Sequence, residues 1–121
     1  MAINVTPVSS IVFPVYDEED NLVPLYEHVR GVFDQNGMSY EMLFVDNGST
    51  DRSLEIIKDL ASRDPNVSFI SLSRNFGHQA ALFAGISYSH GETVITMDAD
   101  LQHPPSLIPK MLELWRQGYE V

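Results

Sequence analysis

A first β-strand is predicted at Val8-Ser9-Ser10-Ile11-Val12-Phe13, a short β-branched apolar run that stops at Pro14. A run bounded in this way is typical of a buried strand in a parallel sheet. Apolar residues at helical spacing begin after Asn21, a candidate N-cap, and Asn36-Gly37 closes the helix. The beginning of the chain therefore predicts a strand followed by a helix.

The same unit recurs along the chain. Further strands are predicted at residues 40–45, 67–72 and 93–97, and further helices at residues 51–63 and 78–89. Pro104 and Pro105 open a last predicted helix that ends at Gly118, and Tyr119 to Val121 resembles the start of a fifth strand. These repeats predict an α/β fold, a mostly parallel sheet with helices on both faces. Because a domain rarely ends one residue into a strand, we interpret residues 1–121 as a fragment.

Composition limits the classes of function. A chain of 121 residues with 44% hydrophobic content fits one domain with an ordinary core. The absence of cysteine excludes disulfides and thiolate zinc sites. A net charge of −10 argues against a nucleic-acid partner, although a divalent cation would still allow a nucleotide diphosphate to bind. No signal peptide or stretch of bilayer-spanning length is visible, so the fragment is expected to be soluble.

Polar residues follow each of the four predicted strands. The carboxyl ends of parallel strands meet at one edge of the sheet, where ligands bind in open α/β folds. We therefore expect the four clusters to converge there. They occupy residues 14–19, 46–51, 73–78 and 98–103.

The last cluster contains Asp98 and Asp100, separated by one small residue. In extended backbone, side-chain direction repeats every two residues, so both carboxylates could face one cation. Carboxylate oxygens suit Mg²⁺ or Mn²⁺, and such an ion would offset the charge of a departing diphosphate. An Asp-x-Asp triplet is common by chance, but its position after the apolar strand favours the metal interpretation.

Simpler interpretations exist for several of these residues. Ser49, Thr50 and Asp51 are more simply read as helix caps, whereas Asp46 ends a buried run and should face the crevice. Three further acidic residues are as well explained by the dipole of a nearby helix. They are Asp17, Glu19 and Asp20. Arg74 could form a structural ion pair, and His78 could merely begin a helix.

The four motifs together resemble family 2 glycosyltransferases of the GT-A fold, and most closely the polyprenyl-phosphate glycosyltransferases related to dolichol-phosphate mannosyltransferase. The motifs are Phe-Pro-Val-Tyr-Asp-Glu-Glu (13–19), Val-Asp-Asn-Gly-Ser-Thr-Asp (45–51), Ser-Arg-Asn-Phe-Gly-His (73–78) and Asp-Ala-Asp-Leu-Gln-His-Pro-Pro (98–105). The resemblance implies metal-dependent, inverting transfer of a sugar from UDP or GDP to a lipid acceptor such as polyprenyl phosphate.

The resemblance also implies roles for individual residues. Pro14, Tyr16 and Glu18 would line the base and ribose, and Asp46 would hydrogen-bond the base. Arg74, Asn75, Gly77 and His78 would lie near the diphosphate and sugar, and Asp98 and Ala99 would also bind the donor nucleotide. The metal ligands would be Asp98, Asp100 and Gln102. Residues 1–121 would then be the N-terminal, donor-nucleotide-binding half of the domain.

Two substitutions depart from the family pattern. Asn47 stands where the family often has a second aspartate, with a mild expected effect, and Asp17 stands where asparagine is usual. The acceptor site, any general base and any membrane helices would follow residue 121, so no catalytic residue is assigned and the fragment is expected to be inactive alone. The full-length protein would act at the cytoplasmic side of the cell-envelope membrane.

A different class of function is also open. The sequence could be a non-catalytic nucleotide-binding module, or one that forms homo-oligomers by pairing through a cut sheet edge. A phospho-acceptor receiver domain is a weaker alternative, because no lysine stands at the end of a later strand.

Overall fold

The computed structural model describes residues 9–37 and 39–99. Its four strands form one parallel sheet in the order β3-β2-β1-β4. The elements are β1 (Ser9–Val15), α1 (Leu22–Asn36), β2 (Tyr40–Asp46), α2 (Ser53–Arg63), β3 (Val67–Ser71), α3 (His78–Tyr88) and β4 (Thr93–Thr96). The predicted last helix and fifth strand lie outside the described residues.

Helices cover both faces of the sheet, as the repeat predicted. Ile11, Phe13 and Val15 of β1 join the buried residues of α1 and α2 in one core. Val12 points the other way and packs with Val45 and Ala81 of α3. The third connection runs back across the sheet from β3 to β4, and right-handed crossovers place its helix on the opposite face.

The strand β1 continues through Pro14, which was expected to end it. Val12 C=O accepts from Met97 N–H on the β4 side, and Val15 C=O accepts from Asn47 N–H on the β2 side. Pro14 therefore faces the β4 side, beyond the last β1–β4 pair at Val12. Its missing N–H breaks no ladder bond, which explains why a proline is tolerated here.

Helix α1 begins and ends where the sequence predicted. Gly37 has φ 62°, and its N–H reaches the carbonyls of Phe33 and Asp34. At the other end Asn21 occupies the N-cap position, but its side chain does not cap the helix. Its amide instead donates to Glu18 Oε2 at 2.7 Å. The predicted N-cap position is therefore confirmed, but the side-chain capping hydrogen bond that Asn21 was expected to make is absent.

Helix α3 packs closely on the sheet through its small residues. Ala81 and Gly85 are its buried residues. A Cβ on Gly85 would lie 2.3 Å from Val12 Cγ1. No helix in the described part of the chain is long and apolar enough to cross a bilayer.

Candidate functional site

Backbone hydrogen bonds join the carboxyl ends of neighbouring strands. Asn47 N–H donates to Val15 C=O at 2.8 Å, and Leu72 N–H donates to Asp46 C=O at 2.9 Å. On the other side of β1, Met97 N–H donates to Val12 C=O at 3.0 Å. The polar segments that follow the four strands therefore start from one edge of the sheet, as predicted.

A cleft of about 140 Å³ lies at this edge. Its lining residues are Pro14, Val15, Tyr16, Asn47, Asn75 and His78. Four of the predicted donor-binding residues thus meet here, from the ends of β1 and β3 and the start of α3. The cleft is smaller than the roughly 300–1,000 Å³ of whole-ligand pockets. Its size suits one part of a nucleotide, such as the base.

The loop after β1 is tied to the loop after β2 through Asp17. Asp17 has a left-handed φ of 53°. Its Oδ1 accepts from Thr50 N–H at 2.7 Å and Asp51 N–H at 3.2 Å, while its own N–H donates to Ser49 Oγ at 3.0 Å. The first turn of α1 contains no acidic residue, and Asp17, Glu19 and Asp20 all precede its N-cap Asn21.

Asp51 extends this connection to the first residue of α2. Its Oδ1 accepts from Ser53 N–H at 2.8 Å, and its Oδ2 accepts from Glu19 N–H at 3.2 Å. Burial opposes the charged form, but these hydrogen bonds outweigh it and lower the pKa of Asp51. Asp51 was predicted to cap the helix, but the N-cap position belongs to Arg52, which has no side-chain capping bond, and Asp51 lies one residue before it. Ser49 and Thr50 instead bind Asp17.

Asp46 is 1% exposed at the end of β2. Its Oδ2 accepts from Ser49 N–H at 3.3 Å. Within the described residues its Oδ1 has no hydrogen-bond partner. A buried carboxylate oxygen without a donor is costly in a folded protein, and a bound water, ion or ligand can supply the missing partner.

The loop after β3 presents four of the predicted residues. Arg74 is exposed and stacks over the Phe76 ring at 4.7 Å, and no ion pair of Arg74 is found among the described residues. Gly77 has φ 96° and His78 is the first residue of α3. The stacked guanidinium leaves its charge available to an anionic ligand.

The remaining predicted residues do not line the cleft or lie outside the described residues. Glu18 N–H donates to Ser53 Oγ at 2.9 Å, its carboxylate holds Asn21, and it does not line the cleft. Asp98 is half-buried just after β4, and Ala99 is buried in the core. Asp100 and Gln102 lie outside the described residues. Among residues 9–37 and 39–99 no three acidic or histidine side chains form a metal-binding group.

Asn47 is the residue that sequence reasoning underrated. It is 4% exposed, lines the cleft, and hydrogen-bonds the loop after β3 through both ends of its side-chain amide. The signal available in the sequence was its departure from the family aspartate, which was expected to matter little.

Comparison with known proteins places the chain among glycosyltransferases. The family described as "Glycosyl transferase family 2" matches residues 10–121. The uncharacterized glycosyltransferase YkcC of Bacillus subtilis (strain 168) is 50% identical over 112 residues. The undecaprenyl-phosphate 4-deoxy-4-formamido-L-arabinose transferase of Edwardsiella ictaluri is 44% identical over 113 residues. Each match covers 93% of this chain and 35% of the relative, so the chain spans about a third of their length.

A solved structure shows the same fold. The mannosyltransferase PcManGT from Pyrobaculum calidifontis, in complex with GDP-Man and Mn²⁺, matches with a TM-score of 0.67 at 22% identity. The match covers 80% of this chain and 28% of that protein. At this identity the likeness concerns the fold, and it agrees with the predicted GT-A architecture.

Proposed function

The chain belongs to glycosyl transferase family 2, and from this we propose that residues 1–121 bind the nucleotide of a nucleotide diphosphate sugar. In the complete protein this half of the domain would serve inverting transfer of the sugar to a polyprenyl-phosphate acceptor at the cytoplasmic side of the membrane. The named relative acts on undecaprenyl phosphate, which supports a lipid acceptor. The acceptor site and any general base are not assigned to this chain.

One observation carries the proposal: a buried aspartate with an unpartnered oxygen directly precedes a residue of the cleft. Asp46 Oδ1 lacks a donor within the described part of the chain, and Asn47 lines the cleft. Uracil and guanine both carry a ring N–H that can donate a hydrogen bond to a carboxylate. Cytosine has an unprotonated ring nitrogen at the corresponding position and cannot donate from it. We therefore assign the base to Asp46 and expect UDP or GDP as the nucleotide.

The other residues of the edge fit the remainder of a donor. Tyr16 offers an aromatic face to the base, with Pro14 beside it, and Glu18 steadies the loop that carries them. Arg74, Asn75, Gly77 and His78 surround the start of α3, where backbone N–H groups and a guanidinium favour phosphate oxygens. Asp98 follows β4 and would contact the donor from that side, whereas Ala99 is buried in the core and would contribute only its backbone.

A divalent cation completes the proposal. Asp98 supplies one carboxylate at the correct edge of the sheet, and its oxygen chemistry suits Mg²⁺ or Mn²⁺. We assign the ion to Asp98, Asp100 and Gln102. When bound, it would offset the negative charge of the diphosphate leaving group.

Calorimetric titration with UDP, GDP and CDP, each with and without Mn²⁺, tests this assignment. We expect UDP or GDP to bind weakly and only with the metal, and CDP to bind more weakly than the preferred nucleotide. Asp46→Asn should reduce the affinity roughly tenfold to hundredfold, since a hydrogen bond to a charged acceptor is lost. Asp59→Asn, on the exposed face of α2, is the matched control and should change nothing.

Equal binding of CDP, or binding that ignores both the metal and Asp46→Asn, would contradict the proposal. We also expect no transfer of sugar to polyprenyl phosphate by this chain alone. Measurable transfer would show that the acceptor site lies within these residues. Stable binding of nucleotide without any role in transfer by the complete protein would instead favour the non-catalytic module.

A further inference from the structure

Asn47 joins the loop after β2 to the loop after β3 through three hydrogen bonds. Its Nδ2 donates to Asn75 Oδ1 at 3.2 Å and to Gly77 C=O at 3.1 Å. Its Oδ1 accepts from Phe76 N–H at 3.0 Å. Asn75 Oδ1 also accepts from Gly77 N–H at 2.8 Å, so one small network fixes residues 75–77.

The partners determine which way round the Asn47 amide lies. Phe76 N–H can only donate and Gly77 C=O can only accept. Rotating the amide by 180° would set oxygen against oxygen at Gly77 and N–H against N–H at Phe76. The position therefore requires a side chain with an acceptor on one side and a donor on the other.

The two loops are also pressed together at their backbones. A Cβ on Gly48, where φ is 75°, would lie 2.4 Å from the Arg74 carbonyl carbon and 2.5 Å from Asn75 N. Gly77 C=O additionally accepts from Ala81 N–H, the first bond of α3. Fixing this carbonyl thus fixes the start of the helix, next to His78 in the cleft.

We propose that Asn47 is a positioning residue that holds residues 74–78 in the shape that receives the donor's diphosphate, and that its neutral amide is required for this. A carboxylate would keep the bond from Phe76 but would face the oxygens of Asn75 and Gly77. It would also place a second buried negative charge beside Asp46. The link to the diphosphate rests on the proposed function, whereas the link to the loop does not.

Asn47→Asp tests the requirement for an amide, with Gln79→Glu as a control of matched chemistry. Gln79 is exposed in the first turn of α3, so its substitution adds the same charge close to the same loop. Asn75→Asp is the second comparison, because Asn75 uses only its oxygen in this network. By NMR, we expect Asn47→Asp to speed solvent exchange of the Phe76 and Gly77 amides about tenfold. Gln79→Glu and Asn75→Asp should preserve their protection.

A further measurement needs no variant. In the unmodified chain the side-chain amide protons of Asn47 should exchange more slowly than those of the exposed Gln79. Fast exchange of the Asn47 amide, or loop protection that survives Asn47→Asp, would overturn the proposal even if that variant folds poorly.

Nucleotide binding separates this inference from the proposed function. With Mn²⁺ present, Asn47→Asp should weaken binding of the preferred nucleoside diphosphate by at least tenfold, and Gln79→Glu should leave it within twofold. A loosened loop with unchanged affinity would refute the role in positioning. If the unmodified chain binds neither UDP nor GDP, the proposed function fails, while the exchange data still decide whether Asn47 holds the loop.

Discussion

At the scale of single residues, a few buried polar side chains join neighbouring elements through hydrogen bonds. Tyr26 in α1 donates its hydroxyl to Asp64 Oδ2 at 2.6 Å, joining α1 to the end of α2. Asp64 Oδ1 accepts from Asn66 N–H at 2.9 Å, which shapes the turn into β3. Both side chains are buried, so the bond is shielded from water.

This bond predicts a loss of stability in alkali. Burial, followed by the hydrogen bond and the charge of Asp64, raises the pKa of Tyr26 from 10.0 to about 12. The folded state holds this proton more tightly than the unfolded state, so the contribution is complete below pH 10 and is lost as the pH rises to about 12. Urea unfolding at a series of pH values should show this decline.

Tyr26→Phe isolates the effect. The variant should be less stable at neutral pH by about 1–3 kcal/mol, because Asp64 Oδ2 loses its donor. Between pH 10 and 12 its free energy of unfolding should fall less steeply than that of the unmodified chain. Parallel curves in this interval would show that the Tyr26 hydroxyl is not bonded as described.

Contacts between residues that are distant along the chain could not be predicted from local sequence patterns. The cluster of polar residues at one edge followed from the parallel topology, and Tyr16, Asn75 and His78 do share a cleft. The contacts of Asp17 with Thr50 and of Asn47 with Gly77 join positions about thirty residues apart. Such pairings depend on how two loops meet, and no periodicity within either loop encodes them.

At the scale of elements, α3 shows how closely a helix can approach the sheet. Gly85 lies against Val12 and Val45, where a Cβ would meet their methyl carbons at 2.3 and 3.1 Å. Gly31, in the middle of α1, has nothing within 4 Å of its corresponding position. The same substitution should therefore have opposite effects in the two helices.

Gly85→Ala should destabilise the fold by about 1–3 kcal/mol, since the added methyl group overpacks the core. Gly31→Ala should stabilise it by roughly 0.5–1 kcal/mol, because alanine is the better helix former and the site has room. Urea midpoints of both variants against the unmodified chain check this. A Gly85→Ala variant as stable as the parent would mean that α3 sits further from β1.

The sequence predicts the end of an element well when a single residue determines it. It predicts the end poorly when pairing with a distant strand determines it. Gly37 ends α1 because its left-handed φ suits glycine, and the sequence signal is local. The end of β1 was placed too early at Pro14. There the outcome depends on where β4 stops pairing, which is a property of the assembled sheet.

At the scale of the whole molecule, α3 carries three large apolar side chains that are exposed. Phe83 is 75% exposed, and Ile86 and Tyr88 are exposed near it. On the other side of the sheet, Val23 of α1 is 43% exposed. Exposed apolar side chains can promote association, so α3 is a second candidate surface for self-association beside the cut sheet edge.

Phe83→Gln should reduce concentration-dependent self-association more than Val23→Gln, its control on the opposite face. Sedimentation velocity at several protein concentrations measures this. Equal association in both variants would point instead to pairing along the sheet edge. A concentration-independent monomer for the unmodified chain would dismiss self-association altogether.

Because β1 lies between β2 and β4 in the sheet, one of its two edges stays unpaired during synthesis until β4 is available. Ser9 pairs with Tyr40 on one side and with Thr93 on the other, so β1 has one neighbour that is close to it along the chain and one that is synthesised much later. While translation runs between them, the β4 side of β1 has unfilled backbone donors and acceptors, open to capture by another nascent chain. Chaperone demand during expression should accordingly be greatest before β4 has emerged from the ribosome.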